Sequence, residues 1–142
     1  MANIYVSRWN PDAPLKMNST NAARMTKELY VRIKEAFENC PKKHRDIRDN
    51  SLFYCNQLAD SFCSISNGGG KSYANKAATA VRMIEYYIDL ADDYHVITPA
   101  KRNKMADTLL EVRKYVGGIC ARLNSATGTN LASYHTRQNY LK

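Results

Sequence analysis

The sequence lacks the long apolar run that a membrane protein needs. No stretch approaches the roughly 18 consecutive apolar residues of a membrane-spanning helix. The first ten residues also lack the basic-then-apolar pattern of a secretory signal. These absences lead us to expect a cytoplasmic protein without a membrane partner.

Recognisable metal-binding motifs are also missing. The four cysteines are too irregularly spaced for a C-x-x-C pair or a zinc ribbon, and no H-E-x-x-H motif occurs among the three histidines. Because free cysteine is among the most often buried residue types, we expect reduced and mostly buried thiols. We expect no metal. The cysteines are Cys40, Cys55, Cys63 and Cys120, and the histidines are His44, His95 and His135.

Catalytic and cofactor motifs are equally scarce. A glycine-rich loop, residues 66–72, ends in Gly-Lys-Ser, as a phosphate-binding loop does. That motif would need glycine at Ile65 and a preceding strand, whereas the segment before the loop has a helical pattern. No nucleophile with its base and no pair of carboxylates in a plausible site can be assembled. We therefore expect neither a cofactor nor enzymatic activity.

The sequence does carry a large excess of positive charge. It has 21 Lys and Arg against 13 Asp and Glu, a net charge of +8 and a pI near 9.4. Such a charge favours polyanionic partners such as nucleic acid or an acidic protein face. The alternative is a solvated basic surface that only maintains solubility.

Helical periodicity predicts the fold. A chain of 142 residues is one domain, and its apolar residues recur at helical spacing with no convincing strand. We predict an all-α, up-down-up-down four-helix bundle that assembles as a ring-like homo-oligomer. The predicted helices span 21–39, 43–65, 73–94 and 98–123. The bundle then occupies 21–124, between an N-terminal arm at 1–20 and a flexible tail at 125–142.

The apolar faces of the helices define the expected core. Those of the second and third helices are wider than one neighbouring helix would cover, which favours self-association. The expected inner residues of the first helix are Met25, Leu29, Ile33, Ala36 and Phe37. Those of the second are Ile47, Tyr54, Leu58, Phe62 and Ile65, widened by Leu52, Cys55, Ala59 and Cys63. Those of the third are Ala77, Ala80, Val81, Ile84, Tyr87 or Ile88, and Ala91.

The last helix has a sharp predicted start and two unusual glycines. Thr98 can cap it, and Pro99 suits its first position. Gly117 and Gly118 each cost about 1 kcal/mol relative to alanine in a helix, so something should approach them closely. We favour contact between protomers over packing inside one. The apolar series of this helix is Ala106, Leu109, Val112, Val116, Ile119, Cys120 and Leu123.

Basic residues of this helix and of the first turn are the candidate binding site for nucleic acid or a protein partner. Phosphate groups are contacted chiefly by Lys and Arg, so these positions should dominate RNA binding. Tyr86, Tyr87 and Tyr94 could stack on bases or fill an interface. The candidates are Lys42, Lys43, His44, Arg45, Arg48, Lys101, Arg102, Lys104, Arg113, Lys114 and Arg122.

Three motifs resemble a known family. They are Pro41-Lys42-Lys43-His44 between the first two helices, Ile97-Thr98-Pro99 before the last helix, and residues 111–124, which read E-V-x-K-x-V-G-G-x-x-A-R-L-N. Together they resemble the accessory variability determinant proteins of diversity-generating retroelements. These belong to a wider four-helix bundle family that includes proteins encoded in intervening sequences of ribosomal RNA genes. The match spans residues 27–124, with Ile119 at a place often held by tryptophan.

The resemblance implies a partner set as well as a fold. It implies a basic, barrel-shaped homopentamer without catalytic activity, which binds a reverse transcriptase and its template-repeat and spacer RNA to support mutagenic copying. By position, Lys43, His44, Lys114 and Arg122 occupy basic places of the family pattern. Two alternatives stay open: a bundle protein associated with ribosomal RNA or the ribosome, and a helical scaffold without nucleic acid.

Overall fold

The computed structural model describes residues 21–66 and 70–127, and this part of the chain contains four α-helices and no strand. Helix α1 spans Asn21–Ala36, α2 Arg45–Ser66, α3 Lys71–Asp93 and α4 Pro99–Thr127, and a short 3-10 helix, Lys42–His44, precedes α2. The all-helical prediction is confirmed, and the helix ends agree with the predicted ones to within about one turn. The predicted arm at 1–20 lies outside the described residues, as does the predicted tail at 125–142 apart from residues 125–127, which belong to α4.

The helices form a bundle in which sequence neighbours are also neighbours in space. Helix α1 packs against α2 and α4, and α3 packs against the same two helices. Because short segments join α1 to α2 and α3 to α4, each of these pairs is antiparallel. The His44 ring in the first turn contacts the Tyr94 ring at the end of α3, so both turns lie at the same end of the bundle, which we name the two-turn end. The last residues of α2 and the first residues of α3 lie at the opposite end.

The core is built from the apolar stripes that the sequence predicts for α1 and α3. All five predicted inner residues of the first helix pattern are buried. The sequence left open whether Tyr87 or Ile88 is an inner residue of α3. Ile88 is buried and Tyr87 is only half-buried, so Ile88 is the inner residue. The largest completely buried side chains include Leu29, Ile33, Leu58 and Ile84.

The inner face of α4 is corrected at one position. Ala106 is exposed, whereas its neighbour Met105 is completely buried. Met105 lies seven residues, or about two turns, before the buried Val112 and so shares its face. Ala106 is rotated by one residue, about 100°, away from the core. Because Met105 has far more apolar surface to bury than Ala106, its burial sets the register of this turn.

Small hydroxyl residues occupy core positions that an apolar pattern does not reveal. Ser51 is completely buried in α2, and its Oγ donates a hydrogen bond to the Ile47 carbonyl at 2.9 Å. Thr26 is buried in α1 and donates to the Ala22 carbonyl at 2.9 Å. A bond to the preceding turn satisfies a buried hydroxyl without a partner from another helix. By contrast Tyr54 and Ile65, predicted to be inner residues of α2, are only half-buried.

The turn between α3 and α4 has a fixed backbone geometry. The Val96 amide donates to the Ala91 carbonyl at 2.8 Å and the His95 amide to the Asp92 carbonyl at 3.0 Å, which is the Schellman pattern of a helix C-terminus. His95 adopts φ 54°, the left-handed conformation that this pattern requires. The predicted cap follows at once, because Thr98 Oγ1 accepts a hydrogen bond from the Lys101 amide at 3.3 Å.

Candidate nucleic-acid interface

The structure divides the eleven predicted binding residues into two groups. Eight of them, from Lys42 to Arg48 and from Lys101 to Lys104, lie at or near the two-turn end. Arg113, Lys114 and Arg122 follow along α4 toward the other end. At 1.5 Å per helical residue, Arg122 is about 30 Å from Lys101. The predicted residues therefore do not form one continuous site.

Four of the predicted cations already have carboxylate partners. The pairs are Arg48 with Asp49 at 2.8 Å, Lys101 with Glu38 at 3.7 Å, Arg102 with Asp92 at 3.4 Å and with Asp89 at 3.7 Å, and Arg113 with Glu85 at 3.1 Å. Arg102 offsets the unfavourable interaction between the aspartates that end α3 and the helix dipole. A cation that is paired in this way attracts phosphate less strongly than an unpaired one.

Six predicted cations have no carboxylate of the described residues within ion-pairing distance. All six are exposed, so their charge is available to a ligand. Three of them, Lys42, Lys43 and Arg45, are almost consecutive in the chain. The six are Lys42, Lys43, Arg45, Lys104, Lys114 and Arg122.

The first turn and Tyr94 form a basic and aromatic cluster at the two-turn end. The His44 ring lies 4.9 Å from the Tyr94 ring, centroid to centroid, with 32° between their planes. Tyr94 is 57% exposed at the end of α3. Lys42, Lys43 and Arg45 flank His44 in the chain. We name these five residues the end cluster. Sequence inspection selected all five but could not show that Tyr94 meets the first turn.

Local backbone features hold the end cluster in place. Pro41, with φ −58° and ψ 145°, is extended and forms the N-cap position of the 3-10 helix. The His44 amide then donates to the Pro41 carbonyl at 2.9 Å, which closes the 3-10 turn. On the other side the Schellman turn fixes Tyr94. The cluster therefore rests on two ordered turns.

One cation of each group, Lys104 of the first and Lys114 of the second, lies in mixed electrostatic surroundings. Lys104 and Lys114 line a cleft of about 450 Å³ between α1 and α4, and Arg32 borders it as well. Three carboxylates share the cleft, and one of them, Glu111, accepts a hydrogen bond from Arg24 at 3.0 Å. This balance weakens the attraction for a polyanion. The three acidic residues are Glu28, Asp107 and Glu111.

Arg32 is a residue of this cleft that sequence inspection did not select. It pairs with Glu35 at 3.3 Å and with Glu28 at 3.9 Å on its own helix. The signal was present, because Glu28 and Glu35 stand four residues before and three residues after it, the spacings at which helical side chains meet.

The two glycines of α4 are not needed for packing within the described residues. A Cβ atom placed on Gly117 would have no heavy atom within 4 Å, and one on Gly118 would meet only Arg122 Nη1, at 3.8 Å. Packing inside one protomer, the alternative explanation of these glycines, therefore gains no support. Contact between protomers stays a prediction.

The four cysteines are free, two of them buried and two half-buried. Burial raises the pKa of the Cys55 thiol to about 12, and that thiol donates to the Thr26 carbonyl at 3.7 Å. Burial likewise raises the pKa of Cys120, and desolvation raises that of Cys40 despite the nearby Arg48. At neutral pH these three thiols are protonated and weakly nucleophilic. No three metal-ligating side chains of the described residues lie together at a possible metal site.

Comparison with known proteins adds no family to this description. No protein-family model, curated protein or solved structure matches the chain. None of the described helices combines the length and the apolar character needed to cross a bilayer. The fold and the end cluster define a four-helix bundle with a concentrated basic and aromatic surface.

Proposed function

We propose that this chain is a cytoplasmic, non-catalytic accessory protein of a diversity-generating retroelement. In this role it binds the reverse transcriptase and its template RNA and supports mutagenic cDNA synthesis. The motifs at Pro41–His44, Ile97–Pro99 and 111–124 suggest this role. The bundle fold, with both turns at one end, is compatible with it.

The end cluster is the observation that carries the RNA part of the proposal. Lys42, Lys43 and Arg45 offer three exposed positive charges, and phosphate contacts by such residues supply most of the affinity in nonspecific nucleic-acid binding. Tyr94 adds an exposed aromatic ring, on which an unpaired base can stack. A solvated basic surface that only aids solubility does not require an aromatic ring beside it.

Self-association in a ring, with five copies in our proposal, would strengthen this binding. Phe53 and Tyr86 are both more than half exposed on the outside of α2 and α3, and large exposed apolar side chains are typical of interfaces. In a ring the end cluster is repeated around the axis, so one RNA can contact several copies. Once one copy has bound the RNA, the effective concentration of RNA at the neighbouring copies is high, so weak contacts together give tight binding. We therefore expect strong binding with little sequence specificity, because phosphate contacts position RNA without reading it.

Titration of a labelled, structured RNA at several salt concentrations tests the RNA part of the proposal. We expect log affinity to fall by about 0.7 to 0.9 per contacted phosphate for each log unit of salt. Affinity that does not change with salt would contradict it. Co-elution with the purified reverse transcriptase tests the protein part.

Two observations would distinguish the retroelement role from the alternative of a ribosome-associated protein. A neighbouring reverse-transcriptase gene with a pair of near-identical repeats would favour the retroelement. Tighter binding to a ribosomal RNA fragment than to a template-repeat RNA of equal length would favour the ribosomal alternative.

A further inference from the structure

An apolar groove runs along the outer seam between α3 and α4. Its first half is a cleft of about 370 Å³ whose floor is formed by Ala78, Val81, Val116 and Gly117. Its second half, about 500 Å³, has Ile88, Ala106, Leu109 and Leu110 along it. Glu85 borders both halves, so they adjoin at this residue. At 1.5 Å per residue, the groove extends for about 22 Å along α4, from Arg102 to Gly117.

Gly117 leaves open space in the first half of this groove. A glycine inside a helix is unfavourable relative to alanine, and none of the described residues uses the room that its missing side chain provides. Glycine at a helix surface allows another backbone to approach closely. Leu110, at 49% exposed, presents apolar surface in the second half. The groove therefore has both the space and the apolar surface that a docked helix needs, and for Gly117 such a helix is the alternative to the contact between protomers that the sequence predicts.

The charges on the groove indicate the chemistry of its occupant. Two guanidinium groups, of Arg82 and Arg113, and one carboxylate, of Glu85, line the first half, which is therefore net positive. The second half adds Asp89 and Arg102, which pair with each other at 3.7 Å. The Arg113–Glu85 pair crosses the seam at 3.1 Å with both side chains at least one-third exposed. Exposed pairs of this kind contribute little to stability, so an incoming carboxylate can replace Glu85 as the partner of Arg113.

We infer that the α3–α4 groove binds one amphipathic α-helix of a partner protein, with an apolar stripe on the groove floor and carboxylates facing Arg82 and Arg113. Such a helix places apolar anchors at positions i, i+4 and i+7. A length of about 16 residues matches the groove. The inference rests on the proposed function only in requiring a protein partner, and its test uses no RNA, so each can fail without the other.

The test is selection from a displayed library of amphipathic helical peptides of about 16 residues on the full chain. We expect helical binders with the i, i+4, i+7 apolar pattern and enriched Asp and Glu. Gly117→Leu fills the groove and should weaken these binders by roughly tenfold or more. Gly118→Leu is the matched control, because it makes the same change one residue away, outside the groove lining, and should leave binding intact.

Two further measurements complete the test. Circular dichroism should show equal helicity for both leucine variants, and selection on Arg113→Glu should exchange the preference for Asp and Glu for Lys and Arg. Binders that ignore Gly117→Leu, binders without acidic residues, or no binders at all would overturn the inference. A further result would also overturn the inference: Gly117→Leu abolishes a homo-oligomer, and the selected peptides do not dissociate that oligomer in the unsubstituted protein. A second copy would then occupy the groove.

Discussion

His95 holds the turn between α3 and α4 in a backbone conformation that glycine adopts without steric cost. Its φ of 54° is left-handed, and a residue with a Cβ atom in that region loses about 1 to 2 kcal/mol. The Schellman hydrogen bonds on either side keep it there. The turn that supports Tyr94 is therefore strained at one residue.

Replacing His95 with glycine should relieve this strain. We expect the free energy of unfolding to rise by up to about 1 kcal/mol, since some of the gain is offset by the greater freedom of glycine in the unfolded chain. Denaturant unfolding measures it. Asn103→Gly, at an exposed position inside α4, is the control and should lower stability by about 0.3 kcal/mol. A destabilised His95→Gly would show that the imidazole makes a contact that outweighs the strain.

Cys55 makes stability depend on pH in the alkaline range. Burial raises its pKa from 9.0 to about 12 in the folded chain. Between these values the unfolded chain loses the thiol proton while the folded chain keeps it, so the unfolded state is favoured as pH rises. The stabilising contribution is complete below pH 9 and declines by at most about 1.4 kcal/mol per pH unit above it.

Substitution of Cys55 isolates this effect from the titration of tyrosine and lysine. Cys55→Ala should be less stable than the wild type at neutral pH, because it removes a buried side chain. Its stability should also fall less steeply above pH 9. Urea unfolding across the alkaline range compares the two slopes, and parallel curves would contradict the assignment.

At the scale of helices, the register of α4 is the feature most open to test. Met105 is completely buried and Ala106 is exposed. Met105→Ala should therefore lower the free energy of unfolding by about 2 to 5 kcal/mol. Ala106→Ser, one residue along, should change it by less than about 0.5 kcal/mol, apart from a small loss of helix propensity. Comparable losses in both variants would place the core face of α4 between them.

The helices were predictable because each depends on local information. The cap at Thr98, the proline at Pro99 and the apolar stripes of α1 and α3 are all determined within a few turns of chain. Burial of Ser51 was not predictable, because a hydroxyl that bonds to its own helix looks polar in the sequence.

The candidate site was predictable in composition but not in arrangement. The sequence selected every member of the end cluster, yet the contact of His44 with Tyr94 joins residues fifty positions apart and depends on both turns sharing one end. The neutralisation of Arg102 by Asp89 and Asp92 has the same origin, since those partners are on another helix. Tertiary structure decides which cations remain available.

At the scale of the whole molecule, the outside of α2 and α3 predicts self-association. Phe53, Tyr54, Tyr87 and Tyr86 form a continuous row of ring contacts with centroids 5.0 to 6.1 Å apart, and the two end members are more than half exposed. Light scattering should return a mass several times the 16.1 kDa of one chain, with a ring of five copies as our proposal. A monomer at micromolar concentration would contradict it.

Charge reversal at the end cluster tests the central claim, that this surface binds RNA. The measurement is the affinity of a labelled structured RNA for Lys42→Glu/Lys43→Glu, compared with Lys71→Glu/Lys76→Glu. The control makes the same change in net charge with exposed lysines of α3, near the opposite end of the bundle. The first variant should bind RNA roughly tenfold or more weakly, and the slope of its salt dependence should fall by about 0.7 to 0.9 for each phosphate that it no longer neutralises. The control should change little, and equal losses of affinity in the two variants, or none in the first, would contradict the account.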